Sequence, residues 1–353
     1  MESGPPDRPR RDLVVVGGSA GGVDALKRFV RALPADLPAT VCVALHLGSG
    51  TPSMLAGILA RGSEIQVQPA VDGAPLEPGV VHVAQADSHL AVVGERLVLG
   101  LGPRENGNRP SIDVLLRSAA VSRGPRVVGV VLTGMLDDGT AGLAAVARYG
   151  GVPLVQDPVD AEFPSMPRNA LEGTPQAVAL PLDALVDEVV RIVSTDEPVG
   201  PSPVEAVQRE VDEAEVRSAL GLDASLSDGT PVGMPSPYGC PDCGGVLNEV
   251  AGATPVRFRC RVGHAYSAGS LLQHQAVTVQ DALWTALRAL EERQDVAQRL
   301  AADAARAGRD WSHVHFVRRA EDARRSAEVL RGVLTQHRAA PDPEPGAPEA
   351  VAP

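Results

Sequence analysis

From residue 13 to about 193, short runs of consecutive apolar residues alternate with longer stretches of helical periodicity. The runs 13–16, 40–45, 79–84, 89–93, 96–101, 127–132 and 152–155 are rich in β-branched residues and predict strands. Residues 24–32, 52–60, 111–122, 140–149 and 182–194 carry apolar positions at helical spacing and predict helices. Strands that are apolar on both faces and separated by amphipathic helices predict an α/β fold. The expected architecture is a doubly wound, mostly parallel sheet with helices on both faces. The strands of 79–101 lie close together around Gly94-Glu95, which predicts an antiparallel insert or edge.

The pattern changes after Ser194. Residues 195–203 hold three prolines and two acids, and 195–237 reads as an acidic, Pro-rich linker with one short helix within 203–220. A small Cys/His-containing unit follows at 238–270. Residues 271–338 then return to helical spacing, with Val279, Leu283, Leu287 and Leu290 on one face and Ala323, Ala327, Leu330 and Leu334 on another. Gly308-Arg309-Asp310 interrupts the two, which predicts a helical hairpin. Residues 1–12 and 339–353 are polar or Pro-rich and are expected to be a disordered leader and tail around a catalytic domain at 13–194.

Composition narrows the function classes. The chain of 353 residues is 44% hydrophobic and 22% charged, ordinary for a soluble protein. A net charge of −12 and only 3% aromatic residues argue against a nucleic-acid surface. No run approaches the roughly 20 apolar residues of a membrane span, so no membrane insertion is expected. No signal-peptide core precedes residue 13, which makes the cytoplasm the expected compartment and free or metal-bound thiols the expected state of the four cysteines.

Candidate chemistry gathers at strand ends, where function concentrates in a doubly wound sheet. Gly17-Gly18-Ser19-Ala20-Gly21 has the G-x-S-x-G form, with a strand before it and a helix after it. A serine on such a turn projects its hydroxyl and is a candidate nucleophile; the same glycines also serve a tight turn with Ser19 as a helix cap. Nucleotide binding at this turn is disfavoured, because the glycine spacing of G-x-G-x-x-G is missing and no G-K-[ST] is present. His46 ends the second strand and is a candidate base, or a structural histidine. Asp137 and Asp138 follow the strand at 127–132, as candidate acids or as caps of the next helix. The chain order Ser, His, Asp is not that of the α/β-hydrolases or of the two protease templates.

These segments resemble the catalytic domain of the chemotaxis protein-glutamate methylesterases, the CheB family. The residues that carry the resemblance begin with Val16-Gly17-Gly18-Ser19-Ala20-Gly21-Gly22, Leu45-His46-Leu47 and Leu76 to Ala84. Asp87-Ser88-His89-Leu90, Arg109-Pro110-Ser111-Ile112-Asp113 and Leu132-Thr133-Gly134-Met135 through Asp138-Gly139 complete them. The resemblance covers about half of the chain. It implies a serine hydrolase that demethylates glutamate γ-methyl esters on chemoreceptor helices, with glutamine deamidation as a second activity and no cofactor for catalysis. It assigns Ser19 as nucleophile, His46 as base and Asp138, rather than Asp137, as the acid. It places the backbone N–H of Met135 at the oxyanion, and the serine turn offers the Ala20 N–H as a second candidate donor. Leu136 stands where the family has glycine, and Leu47-Gly48-Ser49-Gly50 departs from the family's run after the histidine, so the substrate groove is expected to differ. Only about a dozen residues precede the first strand, too few for the family's usual receiver domain. Control is therefore expected from the C-terminal part or from a separate regulator. The partner implied is a methylated chemoreceptor or a related helical signalling protein. The alternative is a catalytically altered domain acting as a regulatory, protein-binding module.

Cys240-x-x-Cys243, sixteen intervening residues and Cys260-x-x-x-His264 form a four-ligand pattern suited to tetrahedral Zn²⁺. Four protein ligands close such a site, so the expected zinc is structural. A Cys240/Cys243 redox pair is the competing reading and leaves Cys260 and His264 unexplained. Cys42 lies within a strand and reads as core. The cluster also resembles C-terminal extensions carried by some proteins of this family.

Overall fold

The structure, a computed structural model, describes residues 10–46, 54–195, 197–222, 233–250 and 255–337. The chain forms two compact units, Met1–Leu271 and Leu272–Pro353. No helix among the described residues is long and apolar enough to cross a membrane.

The first unit opens with β1 (Leu13–Gly18), α1 (Gly22–Arg31), β2 (Thr40–Leu45), α2 (Leu55–Ala60), β3 (Gln66–Pro69) and β4 (Val80–Val83). It continues with β5 (His89–Val93), β6 (Arg96–Gly100), α3 (Ile112–Arg123), β7 (Val127–Val131), α4 (Thr140–Arg148) and β8 (Val152–Gln156). After α5 (Ser165–Gly173), β9 (Val178–Leu180) and α6 (Leu182–Ser194) close the α/β layer. Seven parallel strands run in the order β3-β4-β2-β1-β7-β8-β9. The doubly wound parallel sheet expected from the apolar runs is therefore present.

Each central strand is buried on both faces, which is why its sequence is uniformly apolar rather than alternating. Val14 and Val16 face a core with Leu26, Phe29 and Val30 of α1 and Leu185 and Val189 of α6. Leu13 and Val15 face the opposite core, with Leu115 and Leu116 of α3 and Leu143 and Val146 of α4. In α1 the buried positions Gly22, Ala25, Leu26, Phe29 and Val30 follow the helical period, so one stripe meets the sheet.

The strand at 79–84 differs from expectation. Val80–Val83 is an interior parallel strand between β3 and β2, and of the strands expected within 79–101 only β5 and β6 form an antiparallel pair. Sequence proximity to β5 suggested a hairpin, but the four buried residues of β4 belong between two sheet neighbours. Strands β3 and β9 and helix α5 lie outside the expected elements; β3 and β9 are short edge strands, half-buried or exposed along their length, and their patterns are weak.

The helix expected within 203–220 is α7 (Ala206–Leu220), and it packs on the α/β layer. Val216 and Leu220 pack on Ala91, and the Asp212 carboxylate accepts hydrogen bonds from Tyr149 (2.9 Å) and Arg148 (3.0 Å). A four-stranded antiparallel sheet follows, of β10 (Gly233–Gly239), β11 (Val246–Val250), β12 (Arg257–Cys260) and β13 (Ala265–Ser267). The last part of the stretch read as linker, from Gly233 on, is a strand. Its small core comprises Cys240, Leu247, Phe258, Cys260, Tyr266 and Leu271.

A buried ionic seam joins these pieces to the α/β layer. Arg117 of α3 donates two hydrogen bonds to Glu105 (2.9 and 2.7 Å). Arg257 of β12 bridges Glu105 (2.9 Å) and Glu215 of α7 (2.8 Å). Arg259 lies 3.8 and 3.9 Å from the same two carboxylates. Burial opposes every one of these charges, yet the guanidinium groups hold the Glu105 carboxyl far below the usual range and bring Glu215 down to about 2.

The second unit is built from α8 (Ala268–Arg306), which begins at the end of the first unit, and α9 (Asp310–His337). The expected helical hairpin is present. Leu287, Ala327 and Leu334 form its core, Arg331 pairs with Glu291, and Gly308 turns the chain at φ 66°.

Candidate active site

The strand order reverses around β1, which has β2 on one side and β7 on the other. A crevice opens beyond the carboxyl ends of strands at such a point. Ser19, His46 and the Asp137-Asp138 turn follow β1, β2 and β7, so the topology brings their residues to one place. The strands stay paired up to the site: the Ser19 N–H donates to Thr133 O (3.0 Å) and the His46 N–H to Gly18 O (3.3 Å). Two glycines permit the close packing. A Cβ at Gly17 would stand 2.1 Å from Ile112 Cγ2, and one at Gly134 would stand 2.9 Å from Ser19 Cβ and 2.6 Å from Met166.

His46 Nδ1 lies 3.0 Å from Ser19 Oγ, and His46 Nε2 lies 2.7 Å from Asp138 Oδ2. The tautomer that serves both contacts carries its proton on Nε2, donated to Asp138, and presents the Nδ1 lone pair to the serine hydroxyl. The two ring nitrogens are exchanged relative to the serine-protease template, with the same logic. The imidazole is 14% exposed and the aspartate side chain 2% exposed, so the serine end faces the opening and the acid end is sealed.

Asp138 sits against the first turn of α3. Its Oδ2 accepts the Ile112 N–H (2.8 Å), and its Oδ1 accepts the Asp113 N–H (3.2 Å), the Ser111 hydroxyl (3.0 Å) and the Asn106 side-chain amide (3.0 Å). Helix N-termini offer unpaired N–H groups and a positive dipole end to anions. Burial pushes the Asp138 carboxyl up, but the bonds from His46, Ile112 and Asn106 outweigh it and hold the carboxyl below the usual range. Asp113, beside it, goes the other way: burial first, then the charges of Asp138 and Glu105, push it well up. Asp113 accepts from Gly142 N–H (2.6 Å) and Asn106 (2.9 Å).

Ala20 and Met135 flank the serine turn and the β7 turn. Neither backbone N–H has a hydrogen-bond partner among the described residues, which leaves both available to an oxygen anion. Leu136 has φ 65°, the left-handed region that favours glycine, and its carbonyl is held by Asn169 Nδ2 (2.7 Å). The 47–50 segment lies outside the described residues. His82 and His89 are buried; His89 Nε2 donates to Pro103 O (3.0 Å) and its Nδ1 accepts the Ser111 N–H (3.3 Å).

The profile of the family described as CheB methylesterase matches residues 14–189. A putative protein-glutamate methylesterase/protein-glutamine glutaminase of Leptospira interrogans is 32% identical over 182 residues, 51% of this chain and 94% of that one. The chain belongs to the CheB methylesterase family. Protein-glutamate methylesterase/protein-glutamine glutaminase 2 of Methanosarcina mazei is 36% identical over 191 residues, 52% of each chain. Protein 1 of the same name from Caulobacter vibrioides is 42% identical over 168 residues, 46% of this chain and 48% of that one. The chain thus spans about half the length of these two relatives. The crystal structure of the Thermotoga maritima CheB methylesterase catalytic domain is 31% identical, with 51% of this chain and 97% of that one covered and a TM-score of 0.49.

The resemblance to CheB drew attention to residues 109–113 without giving them a task, and Asn106 drew none. The Ser111 cap was legible as a helix start, and a helix start is an anion site; that signal could have pointed to Asp138. Nothing in the sequence marks Asn106, which reaches Asp138 across 32 positions.

Outside the CheB-matched segment, Cys240, Cys243, Cys260 and His264 converge, their ligand atoms all within 4.8 Å of one another. Cys243 and Cys260 sulfurs are 3.7 Å apart, and His264 Nδ1 lies 3.7 Å from Cys240 Sγ and 3.5 Å from Cys260 Sγ. A tetrahedral Zn²⁺ site has ligand-to-ligand edges of about 3.8 Å for two sulfurs and about 3.5 Å for sulfur and nitrogen. The residues therefore fit the ion. Tight turns present the pairs: Gly244 N–H donates to Cys240 O (2.8 Å) and Gly263 N–H to Cys260 O (3.0 Å). His264 Nε2 lies 3.9 Å from Asp242, which also accepts a hydrogen bond from Tyr266 OH.

Proposed function

We propose that this chain is a serine carboxylester hydrolase that demethylates glutamate γ-methyl esters on a cytoplasmic, chemoreceptor-like helical protein. The observation that carries the reading is the continuous hydrogen-bonded chain from Ser19 Oγ through His46 to Asp138. The names of the relatives, each a protein-glutamate methylesterase and protein-glutamine glutaminase, supply the substrate class.

His46 Nδ1 takes the Ser19 proton as Oγ attacks the ester carbonyl. The oxyanion accepts hydrogen bonds from the Ala20 and Met135 N–H groups. Asp138 fixes the tautomer and stabilises the imidazolium. His46 returns the proton to the methoxy group, methanol leaves, and a γ-glutamyl ester remains on Ser19. Water, deprotonated by His46, attacks that ester; the tetrahedral adduct collapses, freeing the glutamate carboxyl and restoring the Ser19 hydroxyl. With a glutamine substrate the same steps release ammonia. No metal takes part in these steps; Cys240, Cys243, Cys260 and His264 hold a structural zinc ion that ties two turns of a small sheet together.

The deciding experiment measures methanol release from methylated chemoreceptors and covalent labelling by an activated ester, wild type against Ser19→Ala. Labelling confined to wild type, with methanol release, is the expected result. No labelling of wild type, or equal labelling of the variant, overturns the reading.

A further inference from the structure

Two residues around the acid turn, Asn106 and Asp137, make hydrogen bonds to the strand and helix start that follow the Cys/His unit. Asn106 has the left-handed φ of 53° and is 2% exposed. Its side-chain amide donates to Asp138 Oδ1 (3.0 Å) and Asp113 Oδ2 (2.9 Å), while its Oδ1 accepts the Ser267 N–H (2.8 Å). Its own backbone N–H donates to Ala265 O (2.8 Å). The Asn106 side chain is thus a two-sided bracket, with the acid on one side and β13 on the other.

Asp137 repeats the connection. Its carboxylate accepts hydrogen bonds from the hydroxyls of Ser267 (2.5 Å) and Ser270 (2.6 Å). Ser267 Oγ also accepts the Ser270 N–H (3.0 Å), the capping bond of α8. Ser267 is therefore held by the helix it caps, by Asn106 and by Asp137. It stands three residues after His264, on a strand paired with the strand that ends in Cys260.

We propose that the Cys₃His unit, loaded with zinc, is a positioning device for the catalytic acid, acting through Asn106 and Asp137. The proposal rests on the hydrolase reading above. The six-residue core of the unit is too small to hold β13 alone, the ionic seam fastens β12 rather than β13, and structural metal sites of this size supply the folding free energy of their segment. Zinc loss releases residues 265–270, so Asn106 loses two anchors and Asp137 loses both. Asp138 keeps its bonds to Ser111, Ile112 and Asp113, so its aim degrades while its charge remains held. A misplacement of about 1 Å costs on the order of 10²-fold in rate. The expected effect is a loss of about 10- to 100-fold in kcat with KM unchanged, and it is reversible.

The test uses the full chain and an activated acetate ester. Zinc content, kcat and KM are measured for wild type as purified, after chelation and after zinc is restored. Asn106→Ala, which touches no metal ligand, is carried through the same series. Expected are one zinc per chain, the fall in kcat on chelation, its recovery with zinc, and a similar fall in Asn106→Ala that chelation deepens little. That non-additivity reports a shared route, which two independent structural defects would not produce. Full activity of the chelated wild type, full activity of Asn106→Ala at one zinc per chain, losses that simply multiply, or a wild type that takes up no zinc would each overturn this proposal alone. A zinc-loaded wild type that never acylates Ser19 overturns the hydrolase reading and this proposal with it.

Discussion

Two buried carboxylate sites lie on either side of the 105–106 segment, and the protein neutralises them by different means. Asp138 is satisfied by neutral donors: two N–H groups of the α3 first turn, a hydroxyl, an amide and the imidazole. Glu105 and Glu215 are neutralised by guanidinium groups from α3 and β12. The first solution keeps a charged acid in place with dipoles already fixed by the fold, and no cation competes with His46 for it. The second ties together segments remote in sequence, at the cost of desolvating five charged side chains. The candidate catalytic site is served by preorganised dipoles, and the joint is served by strong but costly ion pairs.

The largest expected effects test the first site. Ser19→Ala should lower ester hydrolysis by about 10⁴-fold or more, and Asp138→Asn by about 10⁴-fold because the wrong tautomer forms. Steady-state methanol release measures both. A milder loss in Asp138→Asn would mean that the α3 cradle, rather than the charge, does most of the orienting.

Next comes the seam. Glu215→Ala leaves buried arginines short of a partner and should cost about 3–5 kcal/mol of stability by urea unfolding. Arg259→Met removes the third cation of a two-carboxylate cluster, whose contacts are longer than hydrogen bonds, and should cost less than Glu215→Ala. Equal costs would mean that Arg259 is needed for charge balance.

Acid should separate the two sites further. Glu105 and Glu215 have folded values below the unfolded value of about 4.3. Their contribution is complete above that pH and is lost as pH falls through it toward about 2. Asp138 has the same sign. Asp113, pushed up, costs stability at neutral pH and returns it on acidification, which blunts the slope. Unfolding at pH 6 and pH 3 should show a clear drop in wild type and a smaller one in Glu215→Ala.

The smallest effect concerns the turn between the sites. Leu136→Gly should relieve left-handed strain worth about 1–2 kcal/mol, partly offset by the added freedom of the unfolded chain, for a net gain of at most about 1 kcal/mol. Thermal melting measures it; a loss would show that the Leu136 side chain itself supports the turn.

Legibility followed locality. The central parallel strands β1, β2 and β7 were readable because each is a contiguous run buried on both faces, as in Leu13 to Val16, whereas the half-buried or exposed edge strands β3 and β9 were not. Ser19 and His46 stood out because each ends such a run. The residues alone left Asp137 and Asp138 undivided; the family motif chose between them, and the structure turns Asp138 toward His46 and Asp137 toward Ser267 and Ser270. Strand β4 was misplaced into an antiparallel insert because proximity in sequence is a weak guide to sheet neighbours.

By itself, then, the sequence determined the periodic elements, the glycine turn that carries Ser19 and the spacing of the four zinc-type ligands, because periodicity and turn chemistry act over a few residues. Tertiary structure alone decided that the α3 N-terminus holds Asp138, that Glu105 meets Arg257 across 152 positions, and that Asn106 meets Ser267 across 161. These pairings depend on how whole layers and sheets stack. They join polar residues whose local surroundings carry no period, so no pattern along the chain could announce them.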